Sequence, residues 1–187
     1  MPGPAFAEGD TVSLHPIEDD DHEFVQYGQN HPDLRRPLGS TTIRSVDDVA
    51  EMVEDDKYRF VVCVDDVAAS GESERADADD RERVGVVGLP WVFDDQQSGF
   101  LMYWVAPDHQ GNGYVTEATE LLLDYLFGEC GFHKISAFVL ESNDASAAVL
   151  EKLGFVREGT LRGESFSGGE WVDNYRYGLL ADEWLDG

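Results

Sequence analysis

The sequence predicts an α/β fold, of the α+β kind, in which one mixed and largely antiparallel sheet is flanked by helices. Runs rich in β-branched and aromatic residues recur along the chain and predict strands. Segments with apolar residues at helical spacing separate some of these runs but not others. Strands with no helix between them pair most simply as antiparallel neighbours, so parallel pairing is expected only at a helical crossover. We expect a central sheet of about six to seven strands with about four helices.

The first half of the chain predicts most of the sheet. Residues 11–17 (TVSLHPI) alternate in polarity and predict an opening strand, and an acidic turn at residues 18–21 begins a short helix through Gln29. Ser45 stands where it can cap a helix over residues 46–56, whose apolar residues share one face. Three further strands are predicted, at residues 58–64, 83–93 and 99–105.

The second half predicts two helices, each followed by one or more strands. Residues 115–127 and 143–153 have helical spacing, with Asn143 as N-cap of the second helix and Gly154 just past its end. Strands are predicted at residues 134–140, 155–163 and 171–180, the last two as a hairpin around Ser167-Gly168-Gly169. Between the strands of the first half, residues 68–82 are polar and aperiodic and predict a solvated hairpin loop.

Acidic residues dominate the charge of the chain. There are 39 Asp and Glu against 13 Lys and Arg, which gives a formal net charge of −26. Such a surface repels nucleic acid, whose binding needs basic patches. Because 42% of the residues are hydrophobic and lie in periodic runs, we expect a folded domain rather than a disordered chain. We interpret the acidity as adaptation to high salt, where screening mutes self-repulsion; attraction of a basic peptide is the alternative.

The sequence shows no membrane or export signal. It has no stretch of about 18 uninterrupted apolar residues, and its first residues lack the basic and apolar segments of a secretion signal. Cys63 and Cys130 stand apart without metal-ligand spacing, so we expect reduced thiols and no metal site. These observations predict one cytoplasmic domain over residues 1–187.

The predicted strand at residues 99–105 leads into the turn Gln110-Gly111-Asn112-Gly113 and then into a helix. Glycines allow positive φ and leave no Cβ beside a ligand, and the first turn of a helix offers free N–H groups to an anion. The turn therefore predicts a phosphate-binding site. A Walker A loop is disfavoured because no Lys follows Gly113, and a dinucleotide fingerprint because Thr116 replaces its third glycine. On the glycines alone, an ordinary tight turn without a ligand stays open.

The residues around this turn resemble the coenzyme A pyrophosphate-binding motif of the GNAT acetyltransferases. That motif reads Gln/Arg-x-x-Gly-x-Gly/Ala; Gln110 and Gly113 match it, and Val115 departs at the last position. The run Gly-Tyr-x-Thr-Glu-Ala at residues 113–118 is typical of the RimJ/RimL-like branch, which acetylates the N-termini of ribosomal proteins. Residues 143–146 followed by 149–155 resemble the second cofactor motif of that branch, and residues 158–162, 171–173 and 183–184 are similar to its C-terminal hairpin.

The resemblance implies a GNAT fold and an enzyme that transfers an acetyl group from acetyl-coenzyme A to a primary amine, in this branch a protein N-terminus. The backbone at Trp104 and Val105 is expected to hold the pantetheine arm and to stabilise the oxyanion. Ser146 and Asn143 are the expected catalytic residues. The full set expected to bind the cofactor is Trp104, Val105, Gln110, Gly111, Asn112, Gly113, Tyr114, Val115, Asn143 and Ser146.

The catalytic acid and base are less well specified. Many members of the family place a Tyr near the position of Leu150 as the acid, so the donor role here passes to Ser146 or to water. Asn143 is interpreted either as a helix N-cap or as a contact to the pantetheine arm. Either Tyr103 or Trp104 is expected to shape the acceptor pocket. The candidates for the base are Glu141, Glu164 and Asp173.

The sequence leaves the acceptor and the assembly open. Residues 18–45 and 164–174 would distinguish a protein N-terminus from a small amine such as an amino acid, a polyamine or an aminoglycoside. A non-catalytic acyl-CoA-binding module on the same fold is a third hypothesis, disfavoured because one domain accounts for the length. A homodimer and a monomer are both compatible with the sequence.

Overall fold

The computed structural model describes residues 3–54, 56–65 and 81–187. Within these ranges eight strands form one sheet in the order β1-β2-β3-β4-β5-β6-β8-β7. Neighbouring strands are antiparallel except β5 and β6, which are parallel. The strands are β1 (Ala7–Glu8), β2 (Ser13–Pro16), β3 (Arg59–Asp65), β4 (Arg81–Phe93), β5 (Ser98–Val105), β6 (Lys134–Leu140), β7 (Val156–Ser167) and β8 (Glu170–Leu180).

Six helices of the described chain flank this sheet. They are α1 (His22–Asn30), α2 (Pro32–Arg35), α3 (Val46–Glu54), α4 (Tyr114–Gly128), α5 (Asp144–Lys152) and α6 (Ala181–Leu185). The α4 crossover connects the two parallel strands, as a parallel pair requires. None of the helices in the described ranges has the length and hydropathy needed to cross a membrane.

The predicted α/β class and the mixed, mostly antiparallel sheet are confirmed, with slightly more elements than expected. The additional strand, β1, has two residues, and the unpredicted helices α2 and α6 have four and five. Elements this short carry no full period of apolar residues, so pattern analysis has no signal for them. They form because neighbouring elements support them; the Phe6 N–H, for example, donates to the Leu14 carbonyl oxygen at 2.7 Å.

Several boundaries differ from the predicted ones. Strand β4 begins at Arg81, two residues before the predicted start, and residues 68–80 of the predicted loop lie outside the described residues. Strand β7 continues to Ser167 instead of ending at residue 163, because two register shifts absorb its glycines. Gly168 and Gly169 have φ values of 63° and 93°, which suit the predicted two-residue hairpin turn.

Each face of the sheet buries its own apolar cluster. Helices α4 and α5 cover one face, where Leu122, Leu126 and Leu150 are fully buried. Helices α1 and α3 cover part of the other face, where Val25 and Val49 pack with Trp104. Since side chains alternate along β5, its residues contribute to the apolar cluster on each face of the sheet.

Candidate active site

Strands β5 and β6 are paired over only part of their length. Their parallel ladder joins Ser98 to Lys134, Gly99 to Ile135 and Phe100 to Ser136, and then ends. Beyond Phe100 the β5 edge that faces β6 carries backbone N–H and C=O groups that pair with no other strand of the described ranges. Unpaired strand edges of this kind can hydrogen bond an extended ligand.

A cleft of about 800 Å³ opens where the two strands separate. It reaches both faces of the sheet, since its lining includes helix α5 and the α4 start on one side and the α1–α3 segment on the other. Of the residues expected to bind the cofactor, the structure places nine in the lining: Trp104, Val105, Gln110, Gly111, Gly113, Tyr114, Val115, Asn143 and Ser146. Asn112 is exposed and lies outside this lining.

The turn between β5 and α4 has the backbone geometry that its glycines suggested. Gly111 and Gly113 have φ values of 82° and 84°, and a Cβ built on either would meet no atom of the described residues within 4 Å. The N–H groups of these two glycines donate to no backbone carbonyl among the turn and loop hydrogen bonds of the described chain. With the free N–H groups of the first turn of α4, they form an open cradle suited to an anion.

Two polar side chains of this turn stabilise the turn itself. The Gln110 amide donates to the Val105 carbonyl oxygen at 3.1 Å, and the Asn112 amide donates to the His109 carbonyl oxygen at 3.0 Å. His109 lies 3.3 Å from the carboxylate of Glu82, so its ring is held on the β4 side of the turn. The amides of Gln110 and Asn112 therefore hold the turn to itself and to the end of β5, and the backbone N–H groups remain available to an anion.

Helix α5 presents Ser146 to the cleft. Asn143 is the N-cap of this helix, since its Oδ1 accepts from the Ser146 N–H at 3.2 Å. The Ser146 Oγ lies 2.8 Å from the hydroxyl of Tyr103 on β5. Burial raises the pKa of Tyr103 to about 12, although the hydrogen bond to Ser146 opposes that rise. Two hydroxyl groups that hold protons at neutral pH thus meet in the cleft, whereas Leu150 is fully buried and apolar.

The other half of the cleft carries the segments expected to bind the acceptor. Residues 18–45 contribute Asp33 and Arg44 to its lining, and residues 164–174 contribute Glu164 and Asn174. The side chain of Asn174 is buried, and its Oδ1 has no hydrogen-bond partner among the described residues. A buried carbonyl oxygen without a partner suits an N–H group of a bound molecule.

The three candidate bases have different positions. Glu141 accepts from the Asp173 N–H at 3.3 Å, and Asp173 accepts from the Gly163 N–H at 2.8 Å, so both carboxylates hold the β7–β8 hairpin. Glu164 is exposed and lines the cleft. The structure therefore leaves Glu164 as the candidate base with access to the cleft.

Sequence reasoning did not assign three residues of this site their place in it. Tyr103 was considered only for the acceptor pocket, although it contacts Ser146. Asn174 was included only within the segment 164–174, and Arg59 was not considered. Arg59 interrupts the otherwise apolar run of residues 58–64, and that interruption is the signal that marks it. Among the described residues, no group of three or more His, Cys, Asp or Glu is arranged to hold a metal ion.

Comparison with known families agrees with this geometry. The model of the acetyltransferase (GNAT) domain matches residues 11–156, which include the separated strands, the glycine turn and helix α5. The chain belongs to the GNAT acetyltransferase family. It is an acetyl-coenzyme A-dependent N-acetyltransferase.

Individual GNAT proteins are similar to all or part of this chain. YjcK of Bacillus subtilis, named a probable N-acetyltransferase, is 27% identical and covers 92% of this chain and 96% of its own. The spermidine N-acetyltransferase of Vibrio cholerae, solved with CoA and spermine, is 26% identical with a TM-score of 0.80, covering 95% of this chain and 99% of that one. YdaF of Bacillus subtilis, provisionally named a ribosomal N-acetyltransferase, is 30% identical over 54% of this chain and 55% of its own.

Proposed function

We propose that this GNAT enzyme acetylates the N-terminal α-amine of a polypeptide. The observation that carries the proposal is the charge balance of the acceptor half of the cleft. In the described chain, the carboxylates that line the cleft are Asp33 and Glu164, and the guanidinium groups that line it are Arg44 and Arg59. A balanced lining suits an acceptor with one ammonium group, while a polyamine with several positive charges needs an excess of carboxylates.

The residues of the cradle fit acetyl-coenzyme A. The backbone N–H groups of Gly111, Gly113 and the α4 start would hold the pyrophosphate, and the Val105 N–H on the open edge of β5 would pair with a pantetheine carbonyl. The Trp104 backbone faces β4, opposite Val86, so Trp104 would contribute its side chain alone. Val115 lines the same end of the cleft, where its branched side chain limits the space beside the phosphates. Asn112 would contribute its backbone alone, because its side chain is directed to the turn.

The chemistry requires two proton movements. Acetyl-coenzyme A supplies the acetyl group as a thioester, so transfer to an amine leaves a sulfur that must gain a proton. Ser146 can donate that proton from its Oγ and recover one from Tyr103. On the other side, Asn174 Oδ1 can accept a hydrogen bond from the incoming amine, and Glu164 can take its proton through water.

Two further observations support a protein acceptor. Ser146 together with the run at residues 113–118 follows the pattern of the enzymes that acetylate ribosomal proteins. The partial similarity to YdaF agrees with that pattern. Neither observation depends on the charges of the cleft, so they support the proposal independently.

Acetylation of a polyamine is the second candidate. The similarity to a spermidine N-acetyltransferase extends over 95% of this chain, further than the similarity to YdaF. An acidic chain with net charge −26 also attracts polycations in general. This attraction acts over the whole surface, however, while selection of an acceptor takes place in the cleft.

Release of the coenzyme A thiol distinguishes these candidates. The panel contains peptides with free and with acetylated N-termini, spermidine, and an aminoglycoside. We expect the free peptides to have a kcat/KM at least about tenfold above that of spermidine, and the blocked peptides to be inert. A higher kcat/KM for spermidine would establish the polyamine candidate, and no thiol release with any amine would favour a non-catalytic module.

The proposal includes adaptation of the surface to concentrated salt. With 39 acidic and 13 basic residues, repulsion between like charges opposes folding in dilute buffer, and screening relieves it. The free energy of unfolding, measured with urea, should rise between about 0.1 M and about 2 M KCl. Equal values at both concentrations would contradict this part of the proposal. Sucrose controls for effects of solute other than screening.

A further inference from the structure

The buried side chain of Arg59 has hydrogen-bond donors without partners. Arg59 is 6% exposed and lines the cleft, yet its Nε and Nη1 have no acceptor within the described chain. Its Nη2 lies 2.9 Å from the carboxylate of Asp56. Buried N–H groups are nearly always satisfied in folded proteins, and those of a charged group are the most costly to leave unpaired. This part of the cleft therefore lacks, within the described chain, hydrogen-bond acceptors for Nε and Nη1 of the Arg59 guanidinium.

A second guanidinium group lies nearby and lines the same cleft. The charge of Arg44 and the burial of Arg59 both lower the pKa of Arg59, with burial the larger effect, while Asp56 opposes them. Arg44 is half-buried, and its backbone, not its side chain, is held by Asn30 through hydrogen bonds of 2.7 and 2.9 Å. The Arg44 side chain is thus available to a ligand on a fixed backbone.

These two arginines give one part of the cleft a positive charge, although the protein as a whole is acidic. The chain has a net charge of −26. In the described chain, Asp56 is the carboxylate paired with Arg59, and the exposed Asp48 feels the charge of Arg44. Asp33 and Glu164 also line the cleft, and both are exposed to solvent, where screening weakens their effect. An anion that enters here gains two positive partners, beside the half-buried Asp56 and the exposed Asp48.

We propose that Arg44 and Arg59 form a carboxylate-binding subsite that takes an acidic side chain near the N-terminus of the acceptor peptide. Guanidinium groups are the preferred partners of carboxylates in partly buried sites, because they are planar and weakly hydrated. The subsite rests on the proposed function, and it adds a sequence preference to the acceptor.

The spacing of the strands favours a peptide side chain over the α-carboxylate of a free amino acid. Arg59 pairs with Gly88 of β4, and Gly88 pairs with Met102 of β5. Met102 lies just beyond the end of the β5–β6 ladder. Arg59 thus lies two strand spacings, about 10 Å, from the β5 edge where acetyl transfer would occur. One carbon separates the amine from the carboxylate in an amino acid, whereas peptide residues advance about 3.5 Å each. The acidic side chain therefore belongs to the second or third residue.

Acceptor kinetics with matched peptides test this subsite. Two peptides differ only in Glu or Gln at the second and third positions, and free glutamate and glutamine form a separate arm. We expect kcat/KM to be at least about tenfold higher for the Glu peptide and the free amino acids to be poor substrates. A preference for free glutamate over the Glu peptide would assign the subsite to the α-carboxylate and overturn the peptide proposal.

Variants assign the preference to the two arginines. Arg44→Gln keeps the backbone contacts of this segment, and Arg59→Lys keeps the buried charge; each should reduce the preference to less than about threefold. Arg36→Gln removes the same charge from an exposed residue of the same segment and should retain the preference. The KM for acetyl-coenzyme A should stay constant in all three. An equal loss in Arg36→Gln would show a general charge effect and would overturn the subsite.

Calorimetry separates a failure of the subsite from a failure of the proposed function. Each peptide is titrated into the wild-type enzyme with coenzyme A present. If no peptide is acetylated but the Glu peptide binds more tightly than the Gln peptide, the subsite stands and the proposed reaction fails. If both peptides are acetylated and bind equally, the proposed function stands and the subsite is overturned.

Discussion

The hydroxyl group of Tyr103 lies 2.8 Å from the Oγ of Ser146 and donates to the Ser146 carbonyl oxygen at 3.2 Å. A phenol has one proton, so when that proton is directed to the carbonyl, the phenol oxygen is free to accept from Ser146. When Ser146 instead donates into the cleft, Tyr103 can turn its proton to the serine oxygen. The pair can therefore deliver a proton from β5 to the cofactor side of the cleft.

Removal of either hydroxyl group should slow turnover without loss of cofactor binding. Ser146→Ala should lower kcat about 100-fold, and Tyr103→Phe about tenfold, because the serine hydroxyl then remains. The KM for acetyl-coenzyme A should change little. If the two groups act in series, the double variant is no slower than Ser146→Ala alone. Tyr27→Phe, a tyrosine outside the cleft lining, is the control, and an equal loss of kcat there would contradict the assignment.

The pH profile provides a separate check on the same pair. Burial raises the pKa of Tyr103 to about 12, so this hydroxyl group keeps its proton at neutral and mildly alkaline pH. The rate should rise as the acceptor amine loses its proton, and it should not fall again below about pH 10. A descending limb between pH 7 and 9 that disappears in Tyr103→Phe would show that the pKa of the phenol is lower in the working enzyme.

The order of the longer elements could be predicted because each has its own periodic signal. Helix α4 buries Leu122 and Leu126 at helical spacing, and the structure extends it only one residue beyond the prediction at each end. The turn at Gly111 and Gly113 was also predictable, since positive φ at two glycines before a helix is a local property.

Contacts between distant residues could not be predicted in this way. Tyr103 meets Ser146 because β5 and α5 pack on the same face of the sheet, 43 residues apart in sequence. Arg59 belongs to the cleft because β3 lies two strands from β5, which depends on the strand order. The spacing of apolar residues within one helix or strand predicts neither the contact of Tyr103 with Ser146 nor the position of Arg59 relative to β5. Arg59 could have been singled out as a charge within a buried strand, but its partners could not.

Substitution of Gly113 should weaken binding of coenzyme A more than it destabilises the fold. Gly113→Val forces a β-branched residue to adopt a φ of 84° and places a side chain in the cradle, which no protein atom fills within 4 Å. We expect a loss of stability of about 1–2 kcal/mol and an affinity for coenzyme A reduced about tenfold or more. Calorimetry with coenzyme A measures the second effect.

The hairpin offers a matched control for that variant. Gly168 has a φ of 63° and likewise has nothing within 4 Å of an added Cβ, but it lies outside the cleft lining. Gly168→Val should cost similar stability and leave the affinity for coenzyme A unchanged. Unchanged affinity in Gly113→Val would contradict the assignment of the cradle.

Gly28 allows helix α1 to pack directly on Trp104. A Cβ at Gly28 would lie 2.1 Å from Cζ2 of Trp104, a side chain that is 4% exposed and forms part of the cleft wall. Gly28→Ala should therefore displace the helix or the ring and lower the free energy of unfolding by about 1–3 kcal/mol. Gly128→Ala, where an added Cβ meets nothing within 4 Å, should raise it by about 0.5–1 kcal/mol. Urea denaturation measures both, and two equal effects would contradict this account of the α1 contact.

His15 should make stability fall as the solution becomes acidic. Its ring is fully buried, and its Nδ1 lies 2.6 Å from the Gly3 carbonyl oxygen, which can only accept, so the proton of the neutral ring is on Nδ1. Nε2 then accepts from the Ser13 hydroxyl at 2.9 Å and faces Arg81 Nη1 at 3.4 Å, a group that can only donate. Burial, more than the charge of Arg81, lowers the pKa of His15 from its usual 6.5, although the contact to Gly3 opposes that shift.

The sign of this effect follows from proton uptake. Since the pKa of His15 is lower in the folded state, the unfolded chain binds the extra proton below pH 6.5, and the stability contributed by the neutral ring is full above that pH and lost below it. The slope is at most about 1.4 kcal/mol per pH unit. His15→Asn keeps a donor toward Gly3. In this variant the free energy of unfolding should decline less steeply between pH 6.5 and 5 than in the wild type. His133→Asn, which changes an exposed histidine, is the control and should follow the wild type. Parallel curves for His15→Asn and the wild type would show that other groups carry the acid sensitivity.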